Sequence, residues 1–218
     1  MSATHKTKAE RGLDFYETPK GVVDLLIPHL PCASGVLDPC AGKGSILQAL
    51  AAHPEKFSGL RGIEVDEAHT GSHPHPTEYD DALQVGWGSP RLIVMNPPFG
   101  LAQAFVEKAL AEVAPGGTVA VLLRLAFLAS VARSGFHRAL PADVYVLAER
   151  PSFCLSVTCA DKVGCLWRTT LPTGSARPRS CPRCGGRVKI SSSDSADCAW
   201  FSWGPGRGSR WVVLGADK

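Results

Sequence analysis

Short apolar runs rich in β-branched residues alternate with helical stretches along most of this chain, and this alternation constrains the fold more than any other feature. The predicted strands lie at residues 35–38, 60–66, 92–95, 118–123 and 144–147, and the predicted helices at 19–27, 46–52, 101–114 and 127–140. Strands that alternate with helices pair in parallel, with the helices packed on both faces. The sequence therefore predicts an α/β protein with a doubly wound, mostly parallel sheet, and 218 residues suffice for one such domain and a small insert.

The composition places the chain among globular proteins of a reducing compartment. No apolar run reaches membrane-spanning length, and the polar, charged N-terminal segment lacks the apolar region of a secretory signal. We therefore expect a cytoplasmic protein with no membrane partner. Because thiols stay reduced in the cytoplasm, the eight cysteines are better explained by metal ligation and burial than by disulfides.

A polar tetrapeptide, Asn96-Pro97-Pro98-Phe99, follows the apolar strand at residues 92–95. Ligands of open α/β sheets bind beyond the carboxyl ends of the strands, so this tetrapeptide occupies a position suited to chemistry. Neither proline has an N–H, and Pro98 keeps Pro97 extended, so the Pro97 carbonyl and the Asn96 amide form a pair of acceptors. Two acceptors suit one amino group, and Phe99 offers an apolar face on which a nucleobase can stack.

This tetrapeptide resembles the catalytic motif of the amino-methyltransferases that modify adenine N6 or cytosine N4. The resemblance implies the Rossmann-like class I methyltransferase fold, S-adenosylmethionine as methyl donor, and Asn96, Pro97, Pro98 and Phe99 as the catalytic residues. Accepting both hydrogens of an exocyclic amine frees its lone pair for attack on the donor methyl group.

Two segments upstream resemble cofactor-binding elements of this family, the first the element that holds the methionine end of the cofactor and the second the first cofactor loop, which differs from a phosphate loop in that Lys43 is followed by Gly44. The first precedes the first helix, for which Thr18 is the predicted N-cap, and the second is a strand that enters a glycine-rich turn. The cofactor-binding residues implied by these two segments are Tyr16, Thr18, Pro19, Asp38, Pro39, Ala41, Gly42 and Gly44.

Two further acidic segments resemble the family elements for the ribose and the adenine ring of the cofactor. At the end of the second strand, Glu64 matches the position whose carboxylate accepts from both ribose hydroxyls, with Val65 beside it and Asp66 as the alternative acid. The implied adenine contacts are Asp81, Ala82 and Leu83, and Asn96 completes the cofactor site. Histidines 69, 73 and 75 show no metal-ligand spacing and are expected in a solvated loop.

Residues 154–190 form a basic, cysteine-rich segment with seven basic residues against one acid, so that the rest of the chain carries about −3. Cys159, Cys165, Cys181 and Cys184 provide two ligand pairs, which suit tetrahedral Zn²⁺ and indicate a zinc-ribbon-like insert. The five-residue gap between the first two cysteines is wide, so Cys154 or Cys198 is an alternative ligand. A segment this short needs a structural metal to fold, and its charge is typical of a nucleic-acid-binding module.

The flanks of this insert, Arg150-Pro151-Ser152-Phe153 and the segment around Trp200 and Trp203, resemble a region that is continuous in small phage and prophage methyltransferases. Core packing is the simpler interpretation for at least one of these tryptophans. The predicted organisation is a catalytic domain at 1–153, the insert at 154–190, and strands at 191–218 that complete the catalytic domain.

Together these observations predict a DNA amino-methyltransferase, with adenine N6 as the favoured target and cytosine N4 as the alternative. The target base must leave the stack to reach Asn96, so DNA is bound with a flipped base or as a single strand. RNA methylation, methylation of a small molecule or protein, and a catalytically silent zinc module that binds nucleic acid are the rival functions.

Overall fold

The computed structural model of this protein describes residues 17–67, 75–152, 154–160, 165, 168–172, 178–192 and 197–215. Tyr16, His69 and His73 therefore lie outside the described residues, whereas His75 lies at the start of a described segment.

Eleven strands occur in the described part of the chain. They are β1 Ala33–Asp38, β2 Phe57–Glu64, β3 Thr77–Tyr79, β4 Leu92–Met95, β5 Thr118–Arg124, β6 Asp143–Leu147, β7 Cys154–Cys159, β8 Arg168–Pro172, β9 Val188–Ser192, β10 Cys198–Trp203 and β11 Trp211–Leu214. The described α-helices are α1 Lys20–Leu26, α2 Ser45–Ala51, α3 Ala102–Glu112 and α4 Ser134–Ala139, and single turns of 3-10 helix lie at Ile27–His29, Phe99–Leu101 and Leu125–Phe127.

Eight of these strands form one sheet in the order β11-β6-β10-β5-β4-β1-β2-β3, and all neighbours are parallel except those of β10. The predicted doubly wound, mostly parallel sheet is thereby confirmed. The chain leaves β1 towards β2 on one side and returns to place β4 on the other, which creates a switch point between β1 and β4. A crevice opens beyond the carboxyl ends of the strands at such a point.

Alternate residues of the central strands enter two apolar layers on opposite faces of the sheet. Helices α1 and α2 cover the face that contains Val36 and Trp200, and α3 covers the face that contains Leu37 and Trp203. Both tryptophans are buried and donate their indole N–H to backbone carbonyls, at 2.9 Å for Trp200 and 3.0 Å for Trp203. Core packing, the simpler interpretation of the sequence, thus holds for both.

Two predicted helices differ from the structure for identifiable reasons. Pro19, and not Thr18, is the N-cap of α1, and no side chain caps it. The predicted helix at 127–140 is reduced to α4, because the guanidinium of Arg133 donates to the carbonyls of Ala126 and Phe127 and closes the preceding turns. Sequence patterns also missed the short edge strand β3.

A separate three-stranded antiparallel sheet, β8-β7-β9, lies between β6 and β10 in the sequence. It leaves the main sheet where β6 ends and returns where β10 begins, beside the carboxyl end of β5. An ion pair of 2.7 Å between Arg150 and Asp197 joins the two chain segments at this junction. No described helix is long and apolar enough to cross a membrane.

Candidate active site and cysteine cluster

A cleft of about 410 Å³ opens at the switch point of the main sheet. The predicted site residues that line it are Thr18, Asp38, Pro39, Ala41, Gly42, Glu64, Val65, Asp81, Ala82, Asn96 and Pro98. These residues come from the ends of β1, β2 and β4, from the turn after β3 and from the segment before α1, which are far apart in the sequence. The cleft has the size of a typical small-molecule site.

The glycine-rich turn wraps around one end of this cleft. Gly42 and Gly44 adopt positive φ values of 53° and 83°, and Gly44 is the N-cap of α2. The turn is packed tightly on β2, because a Cβ added at Gly62 would lie 2.7 Å from the Cβ of Ala41. Gly62 therefore helps to position the turn. Because this contact depends on the pairing of β1 with β2, it could not be predicted from the sequence around Gly62.

Glu64 is the last residue of β2 and is buried at 8% exposure. One of its carboxylate oxygens accepts from the Gly42 N–H at 2.6 Å, and the other accepts from the Asp66 N–H at 2.9 Å. Both acids line the cleft, but Glu64 also holds the glycine-rich turn against the strand. This geometry favours Glu64 over Asp66 for the ribose position.

Asp38 ends β1 at the back of the cleft and is 1% exposed. Its Oδ1 accepts from the Cys40 N–H at 3.0 Å, whereas Oδ2 has no hydrogen-bond partner among the described residues. Burial raises the pKa of Asp38 to about 8, an effect that the Cys40 N–H opposes and the Glu64 charge reinforces. A cationic ligand or a donor in the cleft would satisfy this carboxyl group.

Burial also raises the pKa of the Cys40 thiol, and the neighbouring Asp38 and Glu64 carboxylates add to this rise. The thiol therefore stays protonated at neutral pH. Because the thiolate is the nucleophilic form of cysteine, Cys40 is unsuited to covalent catalysis.

Asn96 lies directly beyond β4, and its amide Nδ2 donates to the Thr18 hydroxyl at 3.0 Å. Thr18 is only 7% exposed, so this contact lies in a largely enclosed part of the cleft. Since the two atoms of a carboxamide group point in opposite directions, the bond through Nδ2 fixes the direction of Oδ1 as well. The structure thus connects Thr18 to the tetrapeptide, a contact that the sequence did not predict.

The remaining residues of the tetrapeptide have different surroundings. Pro97 is buried, Pro98 lines the cleft, and Phe99 begins the 3-10 turn before α3. Phe99 is half-buried and does not line the cleft; the guanidinium of Arg124 lies 4.1 Å from the centre of its ring. Pro19 and Gly44 also lie outside the cleft lining, where they cap α1 and α2.

The predicted adenine segment forms a short turn at the edge of the cleft. Asp81 is exposed, and its Oδ1 accepts from the Leu83 N–H at 2.9 Å. Ala82 is buried, and its carbonyl accepts from the indole of Trp87 at 2.8 Å. Trp87 thereby holds this segment in place from beneath the surface.

Glu17 is a cleft residue that the sequence prediction omitted. It accepts from the hydroxyl of Ser45 at 3.0 Å and lies 4.0 Å from the ammonium group of Lys43. The segment before α1 is thereby tied to the glycine-rich turn. Glu17 could have been predicted from its position next to Thr18, because a segment that contacts a ligand through one residue tends to contribute neighbouring side chains as well.

The structure gathers the four predicted zinc ligands beside the small sheet, where Cys159 ends β7 and the other three lie outside the strands. The sulfur atoms of Cys159, Cys165, Cys181 and Cys184 all lie within 4.8 Å of one another, with 3.5 Å between Cys159 and Cys184 and 3.8 Å between Cys165 and Cys181. Cys181 is buried and the other three are half-buried. Cys198, an alternative in the sequence, lies in the core of the main sheet, and the Cys154 side chain lies outside the described residues.

The turn between Cys181 and Gly186 follows the pattern of a metal knuckle. The Cys181 N–H donates to the Gly186 carbonyl at 2.7 Å, and the Gly185 N–H donates to the Cys181 carbonyl at 2.8 Å. Gly185 has a φ of 72°, a conformation that glycine adopts without strain. Zn²⁺ bound by four thiolates at about 2.3 Å places their sulfur atoms about 3.8 Å apart, which the observed pairs match.

No protein-family model matches this chain, and no curated protein matches it. Solved structures are similar in fold. A type I restriction-modification system methyltransferase subunit from Streptococcus thermophilus has a TM-score of 0.57 and 14% identity, over 91% of this chain and 47% of that one, so this chain spans about half its length. A predicted O-methyltransferase from Agrobacterium tumefaciens has a TM-score of 0.52 and 14% identity, over 89% of this chain and 83% of that one. The chain therefore has the Rossmann-like fold of class I methyltransferases.

Proposed function

We propose that this protein transfers a methyl group from S-adenosylmethionine to an exocyclic amino group of a nucleobase in DNA, with adenine N6 as the favoured target. The observation that carries the proposal is that Asn96, at the end of β4, shares one cleft with Glu64, at the end of β2. In this proposal Asn96 activates the base and Glu64 binds the ribose within a single cleft.

The residues of the cleft fit this cofactor. S-adenosylmethionine, when bound, supplies a methyl group on a sulfonium that needs no further activation. The Glu64 carboxylate suits the ribose hydroxyls, and Asp81 and Ala82 suit the adenine edge. Asp38 has a buried oxygen without a hydrogen-bond partner among the described residues, and this oxygen suits the cationic end of the cofactor.

The catalytic motif has the chemistry to activate an amine. The hydrogen bond from Nδ2 to Thr18 fixes the direction of the Asn96 Oδ1, which in this proposal accepts one amine hydrogen, and the Pro97 carbonyl is the second acceptor. With both hydrogens held, the amine nitrogen would become more tetrahedral and its lone pair would form a bond to the donor methyl group as the bond from that methyl group to sulfur breaks, with S-adenosylhomocysteine as the leaving group. The methylated nitrogen would then release one proton to solvent, so this route uses no metal and no covalent enzyme intermediate.

Replacement of the amide tests this proposal. We expect Asn96→Ala to retain cofactor affinity in calorimetry and to lose methyl transfer by about two to three orders of magnitude, because the lost contact acts mainly in the transition state. Gln84→Ala is a matched control, since Gln84 is an exposed carboxamide outside the cleft lining. Near-normal turnover by the Asn96 variant would refute the catalytic role.

The same assay identifies the polymer and the product. Purified protein is incubated with isotope-labelled S-adenosylmethionine and with DNA or RNA in separate reactions, and the nucleosides are analysed by mass spectrometry. N6-methyldeoxyadenosine is the expected product. Methylated cytosine or methylated RNA nucleosides would instead support the alternatives considered from the sequence.

We further propose that the four-cysteine cluster binds one structural Zn²⁺ and that residues 154–190 act as a small nucleic-acid-binding module. The support is the sulfur geometry, together with exposed basic side chains around the cluster, among them Arg183, Arg187 and Lys189. Metal analysis should find one zinc per chain in the wild type and none in Cys181→Ser/Cys184→Ser. A zinc-free wild type, or nucleic-acid binding unaffected by the double substitution, would refute the proposed role.

A further inference from the structure

Arg124 is the last residue of β5, and the sheet places it between the catalytic motif and the insert. Strands β4 and β5 are parallel with Met95 opposite Val121, so Arg124 lies level with the end of the tetrapeptide. On its other side, Arg124 pairs with Cys198, the first residue of β10 after the insert. A side chain at this position is within reach of a polymer that contacts both parts of the protein.

The guanidinium of Arg124 is stacked on Phe99, with 4.1 Å between its Cζ and the ring centre. Arg124 is exposed, and no hydrogen bond or ion pair from its guanidinium to another described residue is present. Arg133 provides a contrast at the same edge: its guanidinium lies 4.6 Å from the ring centre of Phe127, but its Nε donates to the Phe127 carbonyl at 2.8 Å. Stacking leaves the in-plane N–H donors of Arg124 available to a ligand, whereas those of Arg133 are used by the backbone.

The charge of the cleft indicates what this ligand is. Acidic side chains dominate the lining of the cleft, namely Glu17, Glu64, Asp66, Asp80 and Asp81 against one lysine, Lys43, and Arg124 lies outside this lining. Such a cleft repels phosphate, so a nucleotide whose base enters it keeps its phosphate at the mouth. A planar guanidinium with a fixed fork of donors is well suited to bind a phosphate group there.

We propose that Arg124, held in orientation by Phe99, binds the backbone phosphate next to the target nucleotide. This inference rests on the proposed function and deepens it, because it assigns a phosphate subsite and therefore a polynucleotide rather than a free base or nucleoside. It also assigns a second role to Phe99, as the platform that orients a phosphate ligand.

The test measures the affinity of the full chain, with S-adenosylhomocysteine present, for a fluorescently labelled single-stranded oligodeoxyadenylate between about 50 and 200 mM salt. We expect Arg124→Gln to weaken binding about tenfold at low salt and to reduce the slope of log affinity against log salt by about 0.7, the value for one phosphate on a single strand. Arg138→Gln removes the same charge from an exposed position in α4 and should change neither quantity appreciably.

Arg124→Lys keeps the charge but loses the planar fork, so we expect a wild-type salt slope with an intermediate affinity. Equal behaviour of Arg124→Gln and Arg138→Gln would overturn the proposal, as would a wild-type protein that does not bind the oligonucleotide. Wild-type affinity of Arg124→Lys would overturn the role of the Phe99 stack. Methyl transfer by the wild type to DNA is measured in parallel: if it occurs while Arg124→Gln binds normally, only the phosphate subsite is wrong, and the proposed function stands.

Discussion

Thr18→Val distinguishes two possible roles of Thr18, namely binding the cofactor and orienting the Asn96 amide. The sequence predicts the first role, and the hydrogen bond from Asn96 to the Thr18 hydroxyl points to the second. Valine has nearly the shape of threonine but cannot accept the hydrogen bond from Asn96 Nδ2, which spans 3.0 Å. The donor would lie in a largely enclosed site, since Thr18 is 7% exposed. The amide would then lose the hydrogen bond that directs its nitrogen to Thr18, and its oxygen would be held less firmly towards the substrate amine.

The expected magnitude follows from the single bond that is lost. A neutral hydrogen bond contributes about 1 kcal/mol, and an unsatisfied enclosed donor costs about 1 to 3 kcal/mol. Because Asn96 is half-buried, we expect the loss of its fixed orientation to reduce transition-state stabilisation by about 1 to 2 kcal/mol. This corresponds to a reduction in kcat of about 5- to 30-fold. Cofactor affinity should change by less than about twofold, because the bond acts on the amine side of the site.

The assay is steady-state methyl transfer together with calorimetric titration of the cofactor. Thr18→Ser is the matched control, since it keeps the hydroxyl and should restore most of kcat. In an Asn96→Ala background, Thr18→Val should have little further effect, because the two residues act as a unit. If the loss in kcat is matched by an equal loss in cofactor affinity, or if the two substitutions are additive, Thr18 is a cofactor ligand and the positioning role is wrong.

Three further predictions concern residues that hold the site and the sheet. Gly62→Ala should weaken cofactor binding, because the added methyl group displaces the glycine-rich turn, whereas Gly135→Ala, which meets no atom within 4 Å, should not; calorimetry compares them. Glu64→Ala should weaken cofactor binding by about 1.5 to 3 kcal/mol, with Asp66→Ala as the control. If Glu64→Ala keeps its cofactor affinity and Asp66→Ala loses it, the ribose role belongs to Asp66. Burial by itself raises the pKa of Asp143, but hydrogen bonds from the side chain and backbone of Arg210 and from a neighbouring N–H outweigh this and lower it. The contribution of ionised Asp143 to the free energy of unfolding is therefore fully present above the unfolded pKa of about 3.9 and is lost as pH falls through the lower folded pKa. Asp143→Asn should lower the free energy of unfolding by about 3 kcal/mol near neutral pH and by less in acid. Denaturant titrations at several pH values measure this difference.

The sequence by itself determined the features that depend on residues close together in the chain. The alternation of strands and helices predicted the doubly wound sheet, because each element needs only its own periodicity to be recognised. The tetrapeptide at Asn96 and the glycine-rich turn each follow a strand and Glu64 ends one, and parallel strands bring their carboxyl ends to one edge. That edge, and most of the cleft lining, could therefore be anticipated without coordinates.

Only the tertiary structure decided the contacts between residues far apart in the chain. The hydrogen bond of Thr18 to Asn96, the stack of Arg124 on Phe99 and the close approach of Gly62 to the glycine-rich turn depend on which strands are neighbours and in what register. The same holds for the cysteine cluster, where the wide spacing of the first pair left the ligand set open until the small sheet brought that pair beside the second. Local sequence patterns encode the conformation of a segment, whereas the position of one segment against another is set by the packing of the whole sheet and so has no local signal.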